Sequence, residues 1–378
     1  MSDSNQVPSN RDPRALLEQH RRDIEALDRR VLHLVCERLE LARQVGNLKS
    51  ELGIPLRNFE IEAQVHQRFA EASRYLGLDP GLGRALGLFL IEKAVEEQAS
   101  QRDTRYAGDA LSTLVVGGKG GMGSWIARFL AGQGHRVSVF DPAPGSTPFV
   151  EPATLAEGAD GVDLIMVAVP MSACGAILEE LAAVGSRAVV AEMCSLKGHL
   201  RPAMERVRSL GMRLVSFHPL FGPDVRMLSD RTVVFCTDAR RDDLALVEGL
   251  FERTSARLVE MDVDEHDRRM GLVLGLTHLV NLVFGRALAS SDVSAAELVE
   301  VAGVTFHKQL ATTREVASEN PELYYEIQAL NQTAPEGVAL LERSLAEWGE
   351  VIAKADRTRF EELMVECREH LAGPQWTR

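Results

Sequence analysis

From Arg14 to Leu52 the chain has one glycine, Gly46, and no proline. Within that stretch Leu27, Leu34, Leu41 and Leu48 recur every seven residues. Leu17, Ile24, Val31 and Val45 keep the same spacing with one place missing. Two apolar rows on this period form the seam of one continuous helix, roughly 60 Å long at 1.5 Å per residue. A short domain cannot bury a seam of that length, so the expected partner is the same helix of a second copy. Asp12-Pro13 reads as an N-cap followed by proline at the first helical position, and Gly53-Ile54-Pro55 ends the run.

Residues 1–12 read as a disordered tail. Two further helices are expected over about 59–75 and 82–101, separated by the turn chemistry of Gly77-Leu78-Asp79-Pro80-Gly81. After a polar linker near 101–110 the pattern changes. Short β-branched runs at 111–116, 136–140, 164–169, 188–191, 213–216 and 232–236 alternate with helical stretches, the first of them over 124–133, which predicts a parallel sheet covered by helices on both faces. From about residue 265 the signal is helical to the end. The domains expected are therefore a helical one over 13–102, a dinucleotide-binding α/β domain over 111–262 and a second helical domain over 263–374.

The formal net charge is −13, a balance that repels a phosphate backbone and argues against a nucleic-acid partner. The five cysteines are scattered without a CxxC pair, which suits reduced thiols in a cytoplasm and gives no metal site. The polar start does not read as a signal peptide, so none is expected. No apolar run approaches membrane-spanning length, so no membrane partner is expected.

Gly118-Lys119-Gly120-Gly121-Met122-Gly123 follows a strand and opens a helix. There Gly118 permits the tight turn, Gly120 the approach of a pyrophosphate, and Gly123 close packing of helix on strand, with the helix N-terminus facing the negative charge. Asp141 ends the next strand, 18 residues after Gly123. A carboxylate there accepts the ribose hydroxyls of NAD and repels the extra phosphate of NADP; Lys119 and Arg136 are the cations able to soften that preference. Phe217-His218-Pro219-Leu220-Phe221-Gly222-Pro223 directly follows a strand, at the carboxyl edge where open α/β sheets bind ligands. A histidine there is either packed in a turn or a base for a substrate hydroxyl; the adjacent nucleotide site favours the base. In the first half Arg38 fills the missing place of the apolar row. It is either a snorkelling side chain at a seam edge or half of an anion site with Lys49, eleven residues later and on nearly the same face.

Taken together, the order of the domains, the GGxGxMG loop, Ser195-Leu196-Lys197, the HPxFGP segment and Glu265-His266-Asp267 resemble the bifunctional chorismate mutase/prephenate dehydrogenase family over about residues 13–372. The resemblance implies an all-α mutase domain with a long-helix intertwined dimer, fused to an α/β Rossmann domain and an all-α C-terminal dimerisation domain. It implies two reactions on small molecules in a homodimer: chorismate to prephenate, then NAD-dependent oxidative decarboxylation. His218 would take the proton of the C4 hydroxyl, Ser195 would orient His218 and that hydroxyl, and Lys197 and His307 fall among the substrate-binding positions. His266 matches a motif position and is expected to pack. In the mutase half the family's site falls on Arg21 (serving the partner's pocket), Arg38, Lys49, Glu62 and Gln98. The first three would hold two carboxylates, Gln98 and Lys49 would face the ether oxygen, and Glu62 would bind the C4 substituent.

Three positions depart from the family pattern: Ile61 and His307 where it has arginine, and Ala94 where it has serine. A neutral imidazole cannot make the bidentate clamp of a guanidinium. The departures open a second reading, the same two reactions on 4-amino-4-deoxychorismate and 4-amino-4-deoxyprephenate. A third, of another class, is a sensor that binds without turnover.

Overall fold

The computed structural model describes residues 13–51, 59–100, 106, 108–225, 228 and 231–372. The tail over 1–12, the stop signal at Gly53-Ile54-Pro55 and residues 101–105 and 107 of the linker near 101–110 lie outside the described residues. The chain divides into two compact units, one built on the N-terminal helices and one on the sheet and the C-terminal helices.

The first unit holds α1 (Pro13–Glu51), α2 (Phe59–Tyr75) and α3 (Pro80–Ser100). Helix α3 packs against both others around Ala70, Leu90, Ile91 and Ala94, all buried. It begins two residues earlier than the turn signal suggests, because proline is tolerated in a first helical turn. Every side chain from Pro13 to Leu34 is exposed within a single chain. The seam residues Ile24 and Leu34 keep 58% and 64% of their surface in water. Covering one such leucine is worth about 1.5–3 kcal/mol, so the seam is a strong drive for association.

The second unit starts with β1 (Ser112–Val116), α4 (Gly121–Gly132), β2 (Arg136–Phe140), α5 (Leu155–Ala159), β3 (Leu164–Val167), α6 (Met171–Val184) and β4 (Val189–Glu192). It continues through α7 (Arg201–Ser209), β5 (Arg213–Pro219), β6 (Thr232–Cys236), α8 (Arg241–Glu252) and β7 (Arg257–Met261). The sheet order is β2-β1-β3-β4-β5-β6-β7. Its strands read as unbroken apolar runs because both faces are covered: Leu114, Ile165, Val190 and Leu214 share one buried cluster with Leu178 and Leu181 of α6. β2 through β5 pair in parallel, but β5 and β6 pair antiparallel, His218 lying opposite Val234. The expectation of a wholly parallel sheet is corrected there, and β7 is a strand the sequence pattern did not reveal. Strand β5 also runs on through His218 and Pro219.

The C-terminal helices are α9 (Val263–Met270), a π-helical segment over Gly271–Leu276, α10 (Thr277–Ala289), α11 (Ala295–Glu300), α12 (Val304–Ser318), α13 (Pro321–Ala329), α14 (Ala334–Ala353) and α15 (Arg357–Leu371). A Cβ on Gly271 would lie 2.1 Å from Thr333 Oγ1, so close approach of the loop before α14 accompanies the widened turn. Val263–Ala289 forms one helix of 27 residues, long and apolar enough to cross a membrane by length and composition. That corrects the reading by run length, which the charges of α9 interrupt. Leu272, Val273 and Val283 are exposed on it within a single chain.

Candidate active sites

In the second unit the carboxyl ends of β1, β3, β4 and β5 converge. The glycine loop leaves β1 and enters α4, whose N-cap is Gly120. The tight turn falls one residue earlier than expected, at Gly117, with φ +81° and its Cα facing the Ala168 carbonyl, which a Cβ would meet at 2.4 Å. Gly118 lies against Val139, and a Cβ on Gly123 would stand 2.0 Å from the Gly117 carbonyl oxygen. Helix α4 can therefore sit on the strand only with glycine at 123, leaving its first amides directed at the space above the loop. Gly121 and Met122 are the first two residues of α4.

Asp141 follows β2. Its Oδ2 accepts from the Lys119 amide at 2.9 Å and its Oδ1 from the Ala143 amide at 2.9 Å, which fixes the carboxylate beside the loop. The Lys119 amine is bound to Glu151 at 2.8 Å and to the carbonyls of Asp141 and Ala143. Arg136 lies at the other end of β2. Neither cation stands free beside the carboxylate to welcome a 2′-phosphate, and the residues fit a dinucleotide whose ribose is unphosphorylated.

His218 is buried near the carboxyl edge. Its Nδ1 lies 3.0 Å from His266 Nε2, and His266 Nδ1 lies 2.7 Å from Asp267 Oδ1. Asp267 also accepts from the Lys197 amide at 2.9 Å and the Gly198 amide at 2.5 Å. Burial works against its charge, but the His266 bond and these amides outweigh it and hold its pKa below the ordinary carboxylate value. An ionised Asp267 requires His266 to donate from Nδ1. His266 then accepts at Nε2, so His218 donates from Nδ1 and keeps its Nε2 lone pair for an incoming proton. Burial above all, with the Lys197 charge adding to it, pushes the His218 pKa well below 6.5, so the ring is neutral at physiological pH. His266 does more than pack: it links His218 to a carboxylate.

The segment after His218 reaches the nucleotide helix. Phe221 meets Trp125 of α4 edge-on at 4.9 Å between ring centroids, and Pro223 Cγ would touch a Cβ on Gly121 at 3.0 Å. The two motifs, a hundred residues apart in sequence, thus share one wall.

Lys197 departs from its expected substrate-binding place. It is fully buried, its amine donating to Glu192 Oε1 at 2.7 Å and to the Phe217 carbonyl at 2.7 Å. Burial lowers its pKa, but Glu192 and the neighbouring thiols more than compensate, so it stays charged. Glu192 also accepts from the Ser216 hydroxyl and, at 2.8 Å, from the Cys194 amide. This ion pair braces the loop that carries Ser195. Ser195 is half-buried on that loop and makes no hydrogen bond to His218 among the described residues. His307 is exposed on α12, as is Lys308. The N-terminus of α6, whose N-cap Pro170 supplies no side-chain bond, is capped by Glu326 of α13. That carboxylate accepts from the Met171 amide at 3.0 Å, the Ser172 amide at 3.3 Å and the Ser172 hydroxyl. Sequence reasoning missed Glu192 and Glu326, and quoted Asp267 in a motif without giving it a role. The lone charge ending the apolar run Val189–Ala191 was the one readable signal for the first.

In the first unit Arg38 donates from Nη1 to the Leu90 carbonyl of α3 at 2.7 Å. Burial and then the charge of Arg68 lower its pKa. It is therefore held against α3 rather than snorkelling. Lys49 is half-buried one helical stretch further on. Arg21 is exposed and paired with Glu18 at 2.7 Å. Glu62 lies on α2 and Gln98 on α3, with side chains outside the described residues, as is that of Ile61; Ala94 is buried in the small core.

Three family models match the chain: chorismate mutase type II over residues 20–99, the prephenate dehydrogenase nucleotide-binding domain over 149–260, and the prephenate dehydrogenase dimerization domain over 262–366. The T-protein of Enterobacter agglomerans is 24% identical over 333 residues, covering 88% of this chain and 86% of that one. The 4-amino-4-deoxyprephenate dehydrogenase of Streptomyces pristinaespiralis is 28% identical over 267 residues, covering 68% of this chain and 89% of that one. A solved structure of prephenate dehydrogenase from A. aeolicus, in complex with hydroxyphenyl propionate and NAD+, superposes with a TM-score of 0.59 at 22% identity, over 70% of this chain and 99% of that one. Fold and sites thus define a two-domain-set enzyme, an isomerase joined to an oxidoreductase. The chain belongs to the bifunctional chorismate mutase/prephenate dehydrogenase family.

Proposed function

We propose that the helical unit rearranges chorismate to prephenate and that the sheet unit oxidises prephenate to 4-hydroxyphenylpyruvate with NAD, on the route to tyrosine. The observation that carries the second reaction is the Asp267–His266–His218 chain, which leaves His218 Nε2 as a neutral acceptor near the carboxyl edge of the sheet. Gly118, Gly120, Gly121, Met122, Gly123 and Asp141 would hold NAD, whose nicotinamide would supply the hydride acceptor. His218 takes the C4 hydroxyl proton as the C4 hydrogen departs with its electron pair. The ring carboxylate leaves as carbon dioxide, its bonding electrons complete the aromatic ring, and the proton returns to the phenolate oxygen. Ser195 orients the hydroxyl, and His307 is the substrate-carboxylate position on α12. Lys197 acts through Glu192 on the loop rather than on the substrate.

In the mutase half Arg38 and Lys49, with Arg21 of a second copy, hold the two carboxylates of chorismate, while Gln98 and Glu62 address the ether oxygen and the C4 substituent. No bond to protein forms; the cations fold the substrate and meet the charge of the breaking ether. The working form is a homodimer in the cytoplasm. The uncovered seam of α1 and the apolar face of Val263–Ala289 support the pairing.

The amino reading has one relative behind it, together with Ile61, Ala94 and His307. Purified protein given chorismate and NAD should raise absorbance at the NADH band. A response only to 4-amino-4-deoxychorismate would transfer the assignment to the amino substrates, and silence with both would leave a sensor.

A further inference from the structure

At the amino edge of the sheet, the turns after α6 and α7 enclose a cavity of about 460 Å³. It lies at the start of β5, and His218 near the end of that strand is about 17 Å away at 3.3 Å per residue. The cavity is therefore separate from the His218 site. Its wall carries three arginines, Arg187, Arg213 and Arg240, with Ala182, Leu210 and Met212 as the apolar side. Arg213 gives Nε and Nη2 to Asp243 Oδ1 at 2.8 and 2.6 Å. Arg240 stays 4.0 Å from Asp243 Oδ2, beyond hydrogen-bond reach. Arg187 is exposed and has no ion pair among the described residues.

The lining thus holds three arginines and no carboxylate, Asp243 being bound to Arg213, a local surplus of positive charge on a chain whose net charge is −13. Clustering cations in an acidic protein costs repulsion that a bound anion relieves, and concave walls focus the field. Guanidinium forks match carboxylate and phosphate oxygens two at a time. The volume falls in the range of small-molecule pockets. We propose that this cavity is a binding site for a small organic dianion, a dicarboxylate or a phosphate monoester, held between Arg187 and Arg240 with Arg213 at its back. The ligand would rest on Leu210 and Met212, and its charge would offset the surplus. The inference does not depend on the two reactions assigned above.

The test is calorimetric titration of the full chain, saturated with NAD, using malonate and inorganic phosphate separately, and repeated on the Arg187→Ala/Arg240→Ala variant. Both side chains lie outside the catalytic machinery, so NAD affinity should be unchanged in the variant, which certifies its fold. At least one probe should bind saturably at one site per chain and weaken by about tenfold or more in the variant, the scale of losing charge-assisted hydrogen bonds. Crystals grown with that probe should place it between Arg187 and Arg240. Malonate alone would mark the dicarboxylate source and phosphate alone the phosphate ester. Binding of neither probe, equal affinity in wild type and variant, or density elsewhere would overturn the assignment.

Discussion

Replacing Lys197 by methionine should unfold the larger unit at lower temperature without weakening substrate binding. The amine is fully buried and neutralises Glu192 at 2.7 Å. The variant leaves that carboxylate, also fully buried, with the Ser216 hydroxyl and the Cys194 amide but no counter-charge. Breaking one side of a buried ion pair costs about 3–5 kcal/mol. For a unit of this size that is a fall of about 10 °C in Tm. Adding Glu192→Gln removes the stranded charge, so the double variant should recover a large part of the loss. Thermal unfolding by circular dichroism of the single, single and double variants gives the coupling directly. Because the Lys197 charge also helps to depress His218, the acid limb of dehydrogenase activity should move to higher pH in Lys197→Met. A Tm within about 2 °C of wild type, or a tenfold rise in KM for prephenate with stability intact, would sink the bracing role and return the amine to the substrate.

Asp267→Asn should lower dehydrogenase kcat by about tenfold to a hundredfold with little change in KM for NAD, because it unfixes the tautomer of His266 and hence of His218; an unchanged kcat would show that the histidine pair orients itself. The depressed His218 pKa sets a sign for stability. Near pH 6 the unfolded chain binds a proton that the folded chain refuses, so this group stabilises the fold above pH 6.5 and the contribution fades as pH falls below it. Urea midpoints at pH 7.5 and 5.5 should show the difference shrinking in His218→Asn. Arg38→Ala should cut mutase kcat/KM by about a hundredfold or more while prephenate oxidation, assayed with prephenate supplied, stays within a factor of about two. Gly123→Ala should abolish NAD binding, since its Cβ meets the Gly117 carbonyl at 2.0 Å; retained NAD affinity would show that α4 can slide.

The long helix and the nucleotide loop were legible because their signals are local. A seven-residue row survives any tertiary context, and a strand-glycine-helix order states its own geometry. What escaped depends on contacts far along the chain. The antiparallel pairing of β6 with β5 is a long-range contact that composition does not encode. β7 begins with Arg257 and contains Glu260, so half of a short strand reads as polar surface. The strand was expected to stop at 216, yet β5 runs on to Pro219 opposite Val233, the proline at the strand's last position. The family resemblance placed Lys197 at the substrate, yet it is buried, and Glu192, five residues back at the end of β4, makes that burial of a lysine tolerable. The positive φ sits at Gly117 rather than Gly118 because the Ala168 backbone, brought by β3, crowds that residue.

If the bare first half of α1 is covered by a second copy, the rearrangement becomes a property of pairs. If Arg21 reaches across to a sister pocket, a chain lacking it and a chain lacking Arg38 are each inert alone but can mend one another. Equal amounts refolded together should yield mixed pairs in which one pocket holds a full set of cations, returning about a quarter of wild-type turnover. Two poisoned alleles would then make a living enzyme, and the oxidation catalysed by the other unit would never register the exchange.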